Sequence, residues 1–379
     1  MPPCPTTRLH GAQWCHVRRL GRHDNGRTAP AFGSAAVARG HAKRRRADPE
    51  LPALTELDYV LAVDDFSRVD ALRLRAADGS WYRTVAKGRR ITLPLIEREH
   101  MYRASRAVEC GREPAEDLRY LQGKGTSLGG MRPKCTMVDE DGWQAIGKFP
   151  SVGDTHGVTR GEVLALRLAA QAGIDAARAG IVLLGDGGNE APVAVIRRFD
   201  RDSEDGRIPY QSAASLPQAS REQDRSYNTE IADAIRSHSR APTKDVRRLL
   251  RRLVPNLLIT NVDDQLQNHG FLHMEHGLWC LAPAFDINPF PDKDRESKTW
   301  LTEQDGPVTD VQMLLARASY FAPDEAQALA VLGKAHAAVS SWRRVALCPE
   351  VGLRAVEPDD FASAFEHEQM DAAAALLGR

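Results

Sequence analysis

A change in local pattern near residue 200 constrains the fold of this 379-residue chain most strongly. Before it, short apolar runs alternate with Gly- and Asp-rich turns, which predicts strands together with two helices. After it, segments 227–260 and 322–345 have the length and apolar spacing of helices. We therefore predict an α+β fold with two lobes, a strand-rich N-terminal lobe over 51–200 and a helical C-terminal lobe over 201–379.

Several elements of the first lobe are predicted individually. Alternation and β-branched residues favour strands, whereas longer periodic segments favour helices. The predicted strands are Tyr59–Val63, Ala71–Arg75, Gly180–Leu184 and Pro192–Phe199, and the predicted helices are 93–120 and 160–172. The dipeptide Asp78-Gly79 is a turn signal that closes the second strand.

Composition and charge exclude some classes of protein. Hydrophobic residues make up 42% of the chain and charged residues 27%, which is ordinary for a globular protein. No apolar run approaches the roughly 20 residues of a membrane-spanning helix. Residues 1–50 carry ten Lys/Arg and three Asp/Glu, whereas the remainder carries 41 and 48. An acidic body of this kind argues against nonspecific nucleic-acid binding.

Residues 1–50 form a basic segment without clear periodicity, and six cysteines are scattered along the chain without a CxxC pair. We expect the basic segment to be a disordered extension, because such a composition cannot bury a core. A nucleic-acid-binding arm, or codons upstream of the true start, are the alternative interpretations. The cysteine pattern favours the reducing cytoplasm over a disulfide framework.

The segment Asn261–Asn268 is the strongest chemical signal. Asp263 and Asn268 have the D-x-x-x-x-N spacing of a protein-kinase catalytic loop, and Asp286 lies further along the chain. Such chemistry needs an acceptor near the incoming hydroxyl and oxygen ligands for Mg²⁺. Loop carboxylates and a turn-forming Asn would produce the same short pattern, so the spacing alone is weakly diagnostic.

A glycine-rich loop over 123–130 precedes Lys148, which lies near the end of the predicted strand Trp143–Phe149. Gly129 and Gly130 would let backbone N–H groups approach phosphates closely. Ser127 in this loop could contact phosphate or accept it. A flexible turn and a strand-end lysine are the alternative interpretation.

Glu162 begins the predicted helix after Lys148 and could form an ion pair that orients this lysine on phosphate. A competing interpretation is a capping box over Thr159–Glu162. The order of features favours the kinase interpretation. A glycine loop, a strand lysine, a helix glutamate, the D-x-x-x-x-N segment and a metal-type aspartate follow one another as a bilobal kinase requires.

The residues resemble the HipA family, the serine/threonine-kinase toxins of bacterial toxin–antitoxin pairs. The resemblance covers roughly 55–345. The matching segments are Ser127–Lys134, Ile146–Pro150, Arg198–Arg201, Asn261–Asp264, Asn268–Phe271 and Leu281–Asp286.

The resemblance implies a kinase-like bilobal fold that binds ATP and Mg²⁺. It implies Asp263 as the catalytic base, Lys148 as the phosphate contact paired with Glu162, and Asn268 and Asp286 as Mg²⁺ ligands. The implied nucleotide-binding residues are Ser127, Leu128, Gly129, Gly130, Lys148, Arg198 and Phe199, with Ser127 also the autophosphorylated serine.

The same resemblance implies partners. A HipB-like helix-turn-helix antitoxin would bind the kinase and would itself contact operator DNA, so this chain would meet DNA only indirectly. The substrate would be a protein, such as a translation factor, in the cytoplasm and without a membrane partner.

One departure from the family pattern stands in the catalytic loop. The family usually has His where this chain has Gln265. Gln can form hydrogen bonds but carries no proton or charge. An active Ser/Thr kinase is therefore our main prediction, and a catalytically weakened kinase-like binding protein that acts through an antitoxin complex is the alternative.

Overall fold

The computed structural model describes residues 32–63, 65–81, 95–113, 132–185, 190–204, 206–215, 226–291, 296–322 and 324–378. The glycine-rich loop, including Ser127, Leu128, Gly129 and Gly130, lies outside these residues. The architecture is α+β with two lobes, as predicted from the change in pattern near residue 200. A strand-rich lobe is followed by a largely helical one.

The first lobe is built on a four-stranded antiparallel sheet with strand order β1-β2-β4-β3. Its strands are β1 (Lys134–Val138), β2 (Gln144–Lys148), β3 (Ala179–Leu184) and β4 (Ala191–Arg197). The last two confirm the strands predicted for 180–184 and 192–199. Its helices are α1 (Phe32–Ala47), α2 (Glu56–Ala62), α3 (Leu95–Glu109) and α4 (Val158–Gln171).

Two apolar clusters cover the faces of this sheet. Met101 and Val108 of α3 pack with Met137 and Val193 in one cluster. Leu164 and other apolar residues of α4 pack with Ala194 and Ile196 of β4 in the larger cluster, which continues into the second lobe. Burial of apolar area on both sides therefore fixes the sheet that carries Lys148.

Three predictions about the first 80 residues differ from the structure. Phe32–Ala47, expected to be disordered, form α1, and Arg39 Nη1 donates to the carbonyl of Val108 (2.6 Å). Tyr59–Val63 were predicted as a strand but lie largely in α2, because the Asp58 carboxylate caps the helix start by accepting from the Thr55 amide (2.7 Å). Ala71–Arg75 form only one isolated bridge, Arg75 to Trp81, around the predicted turn.

The second lobe consists mainly of helices. These are α5 (Asn228–His238), α6 (Pro242–Leu258), α7 (Val311–Ala316), α8 (Glu325–Ser340), α9 (Trp342–Ala346), α10 (Ala362–Phe365) and α11 (Glu368–Leu376). The predicted helix over 227–260 is thus two helices, since α6 begins at Pro242, a residue suited to a first turn. Among the described helices, none combines the length and apolar character that crossing a bilayer needs.

Short strands in the second lobe frame the loop that carries Asp263. They are β5 (Tyr210–Ser212), β6 (Gly270–His273), β7 (Trp279–Leu281), β8 (Trp300–Thr302) and β9 (Gly306–Pro307). The first three form one antiparallel sheet and the last two another. Asn268 therefore lies just before β6, and Asp286 follows β7 in a segment without regular structure.

Candidate active site

Lys148 contacts two carboxylates, one from each lobe. Its Nζ lies 2.5 Å from Glu162 Oε1 and 2.6 Å from Asp286 Oδ1. Lys148 ends β2, Glu162 lies in the first turns of α4, and Asp286 comes from the second lobe 138 positions along the chain. Three of the residues predicted from sequence therefore meet in one contact network.

The local fold resolves the two interpretations of Glu162. The helix α4 begins at Val158 with Gly157 as its N-cap, and no side chain caps it. Thr159 Oγ1 instead donates to the carbonyl of Pro192 (2.8 Å), so the capping box is wrong. The Glu162 carboxylate is consequently available to Lys148.

Charge and burial set the protonation of this network. The positive charge of Lys148 lowers the pKa of Asp286 to about 2, against the opposing effect of burial. Burial raises the pKa of Glu162, although Lys148 partly opposes this. Burial alone would lower the pKa of Lys148, but the Asp286 and Glu162 carboxylates outweigh it and raise the pKa. At neutral pH a lysine cation thus faces an ionised Asp286.

A second lysine that the sequence analysis did not assign lies beside the first. Lys134 of β1 is directly opposite Lys148 in the antiparallel register, so both side chains project from one face of the sheet. Burial and the charge of Lys148 lower the pKa of Lys134 to about 8. The hairpin around the Asp139–Gly142 turn is the sequence signal from which this pairing could have been found.

The backbone at Asp286 is in an uncommon conformation. Its φ is 55°, in the left-handed region that a non-glycine residue rarely adopts. Two residues later, the Asn288 amide donates to Asn261 Oδ1 (3.3 Å), and Asn261 Nδ2 donates to Asn256 Oδ1 (3.1 Å). Asn261 therefore connects the Asp286 segment to the Asp263 loop, and strain of this kind clusters at functional sites.

Asp263 is partly open to solvent, with a side chain that is 37% exposed. Its Oδ1 accepts a hydrogen bond from Gln265 Nε2 and contacts Lys298 Nζ. Asn268 Nδ2 donates to the backbone carbonyl of Asp263 (2.9 Å), which closes the loop. The geometry leaves the carboxylate accessible to a hydroxyl while Gln265 and Lys298 orient it.

Asp264, next in the chain, has the opposite environment. It is buried, and its Oδ1 lies 2.9 Å from Nε2 of the buried His269. Thr299 Oγ1 donates to the Asp264 carbonyl (2.5 Å). Asp264 and His269 therefore stabilise the loop from beneath, whereas Asp263 faces outward. No role for Asp264, His269 or Lys298 was predicted from the sequence. Lys298 and Thr299 lie 35 positions after the loop residues that they contact, and no local pattern indicates these contacts.

Arg198 and Phe199, predicted to contact nucleotide, differ in their surroundings. The buried Arg198 guanidinium makes two hydrogen bonds to Asp200, at 2.8 and 2.7 Å, and donates to the carbonyls of Ser67 and Arg68. The Phe199 ring lies 5.3 Å from the ring of Phe285, the residue before Asp286. The side chain of Phe199 is thus near the cleft, whereas that of Arg198 is occupied by structural contacts.

The side-chain oxygens of Asp286 and Asn268 are of the kind that binds Mg²⁺ in phosphate-transferring sites. In the described part of the chain, no group of three or more His, Cys, Asp or Glu is arranged to hold a metal ion. Mg²⁺, however, is usually bound by one or two carboxylates together with waters and substrate phosphates. Asp286 is ionised and 38% exposed, and Asn268 is half-buried, so both could contribute oxygens.

Comparison with known proteins identifies the class. The fold is that of a bilobal kinase-like protein, with strand-rich and helical lobes around the Lys148–Asp286 contact. A family model for the HipA-like C-terminal domain matches residues 126–343, more than half of the chain. The chain therefore belongs to the HipA family. Comparison with curated protein sequences gives no match.

Two solved structures are similar to this chain, and the first of them shows a likeness in fold. One is a chain of the Shewanella oneidensis MR-1 toxin–antitoxin complex of HipA, HipB and operator DNA, with a TM-score of 0.50 and 16% identity. The match covers 67% of this chain and 66% of that one, so the present chain spans about two thirds of its length. The other is the Helicobacter pylori proinflammatory kinase CtkA, with a TM-score of 0.46, 16% identity, and coverage of 65% and 89%.

Proposed function

We propose that this chain is a HipA-type toxin that acts as an ATP- and Mg²⁺-dependent serine/threonine protein kinase. The observation that carries the proposal is the bridge from Lys148 to Glu162 and Asp286. A cation held between the two lobes by carboxylates is the arrangement that positions phosphates in kinases. Family membership supports the same class of reaction.

In the proposed reaction, a substrate hydroxyl attacks the γ-phosphorus of ATP. The new oxygen–phosphorus bond forms as the bond to ADP breaks, and the hydroxyl proton passes to Asp263. Lys148 offsets negative charge on the phosphate oxygens. Asn268 and Asp286 would hold Mg²⁺, which when bound neutralises further phosphate charge. Positioning and electrostatics thus supply most of the catalysis.

We further propose that the glycine-rich loop over Ser127–Gly130 covers the phosphates and that Ser127 is autophosphorylated. A phosphoserine adds about −1.5 to −2 charges at pH 7. In a loop that contacts the phosphates of ATP, this charge would repel the nucleotide and switch the kinase off. Phe199 would contribute to the nucleotide site from the hinge side, and Arg198 would position it.

The same proposal includes the division into two lobes, over 51–200 and 201–379. It also includes the binding partners. A HipB-like helix-turn-helix antitoxin would bind this chain and supply the DNA contacts. The target would be a cytoplasmic protein hydroxyl, with a translation factor as the class that the family implies.

A catalytically weakened binding protein is the second candidate. The observation that favours it is the pairing of Asp263 with both Gln265 and Lys298 on one oxygen. A base already occupied by two donors accepts a proton less readily, and Gln265 cannot carry the proton itself. In this case the chain would bind nucleotide and antitoxin without transferring phosphate.

Incubation of the full chain with Mg²⁺ and labelled ATP, followed by phosphosite mapping by mass spectrometry, tests the proposal. We expect labelled phosphate on Ser127 in the wild type. Asp263→Asn and Ser127→Ala should both lack label at position 127. Retained ATP binding without any label would favour the binding-protein candidate. Equal labelling of wild type and Asp263→Asn would contradict the role of Asp263.

A further inference from the structure

A cavity in the second lobe has no part in the reaction described above. Its volume is about 580 Å³, and its walls are residues 173–175, which follow α4, and one face of α6. None of its lining residues belongs to the candidate active site. Small-molecule sites typically have volumes of about 300–1,000 Å³. The size therefore suits a compact ligand.

The lining of this cavity is strongly cationic. Five of the lining side chains are cations and one, Asp175, is a carboxylate; the cations are Lys244, Arg247, Arg248, Arg251 and Arg252. Their spacing of three and four positions places them along one face of α6. An excess of cations around a concave surface attracts and concentrates anions.

Existing ion pairs neutralise only part of this charge. Arg248 contacts the carboxylate of Asp175 and lies 3.0 Å from Asp245 Oδ1. Within the described residues, Lys244, Arg247 and Arg251 form no ion pair. These three cations are thus available to an anionic ligand, and the buried Arg252 adds its charge.

Arg252 adds an independent observation. Its side chain is buried, with 3% of the residue exposed, and one guanidinium nitrogen, Nη2, donates to the carbonyl of Ala282. Its Nε and Nη1 are buried and have no hydrogen-bond partner among the described residues. Burial lowers the pKa of Arg252 to about 9, which reflects the cost of a buried cation without a counter-ion. An oxyanion in the adjacent cavity would supply the counter-charge that this buried guanidinium lacks.

We propose that this cavity binds a small molecule that carries a diphosphate group, with Arg252 at its base and Lys244 and Arg251 at its rim. Four cations without an ion-pair partner among the described residues exceed the charge of a single phosphate and match that of a diphosphate. A nucleic-acid backbone is disfavoured, because one of the cations is buried and the chain outside residues 1–50 is acidic.

Isothermal titration of the full chain with inorganic pyrophosphate in the absence of Mg²⁺ tests this site. The exposed pair Lys244→Gln/Arg251→Gln should weaken binding more than tenfold. The matched control Arg112→Gln/Arg344→Gln removes two exposed charges elsewhere and should change the affinity less than twofold. Arg252→Met should also lose affinity; if it fails to fold by circular dichroism, the exposed pair decides.

Three results would overturn the proposal. The first is a titration of the wild-type chain with pyrophosphate that gives no heat. The second is an equal affinity for pyrophosphate in the Lys244/Arg251 variant and the control variant, which would place the ligand elsewhere or make the effect one of net charge. A single-stranded oligonucleotide that displaces pyrophosphate and binds more tightly would make the cavity a nucleic-acid contact instead.

Discussion

Two lysine–aspartate contacts belong to the proposed active site, and their lysines differ in burial. The Lys148 side chain is 11% exposed where it meets Asp286, whereas the Lys298 side chain is 58% exposed where it meets Asp263. A buried ion pair is costly to break because the remaining charge stays in a poorly solvated site. An exposed pair is screened by water and salt. The Lys148–Asp286 contact therefore holds the two lobes in place around the site. Asp263, by contrast, can exchange Lys298 for another partner.

The largest expected effect comes from removing the buried cation. Lys148→Met leaves Glu162 and Asp286 facing each other without a counter-charge. We expect the free energy of unfolding to fall by about 3 kcal/mol. Chemical denaturation followed by fluorescence measures this change. A loss below about 1 kcal/mol would mean that the network is no more stabilising than a surface pair.

Lys134 allows a test of burial through pH. Its pKa is lowered from 10.5 to about 8 in the folded chain, so between these values the unfolded chain binds more protons. The stability contribution of Lys134 therefore rises with pH across this window, by about 2–3 kcal/mol.

The comparison variant for this pH test is Lys134→Met, which lacks the titrating group. Unfolding free energies of both proteins should be measured from pH 7 to pH 10. We expect the variant to be the more stable at pH 7 and its advantage to shrink as pH rises. A constant difference between the two proteins would show that Lys134 titrates normally.

Gln265 tests how Asp263 is oriented. The Gln265 amide donates to Asp263 Oδ1, so a residue that keeps this hydrogen bond should keep the function. We expect Gln265→Leu to lower phosphate transfer about tenfold, the cost of one orienting hydrogen bond of about 1.4 kcal/mol. Gln265→His should stay within about threefold of wild type. A large gain with His would instead support the weakened-kinase candidate.

The smallest effect is expected at the exposed lysine. Lys298→Met should change the free energy of unfolding by less than about 1 kcal/mol. Added salt should reduce even this difference, since the pair is open to solvent. Denaturation at low and high salt measures both quantities. A loss comparable to that of Lys148→Met would remove the distinction between the two contacts.

The residues of the site that could be predicted are those that can be assigned from the order of secondary-structure elements along the chain. The strand lysine, the helix glutamate and the later aspartate could be assigned because each lies in or beside a recognisable element. Lys134 was missed because its proximity to Lys148 comes from strand register. Lys298 was missed because its contact with Asp263 spans 35 positions without any local signal.

Local chemistry also explains a wrong prediction. Tyr59–Val63 have the composition of a strand, yet Thr55 and Asp58 just before them cap a helix. Capping satisfies backbone donors at the helix start, which outweighs the weak preference of Tyr and Val for strands. At Thr159–Glu162 the same kind of motif was the competing interpretation, but Thr159 and Glu162 bind other partners.

The most direct test of the proposed kinase separates nucleotide binding from phosphate transfer in Asp263→Asn. Because Asp263 acts on the hydroxyl and Lys148 holds the phosphates, the variant should bind ATP within about threefold of wild type. Its transfer rate with Mg²⁺ and ATP should fall by about 10²–10⁴-fold, the usual contribution of a general base. Transfer at the wild-type rate, or loss of ATP binding together with folding, would contradict this account of the site.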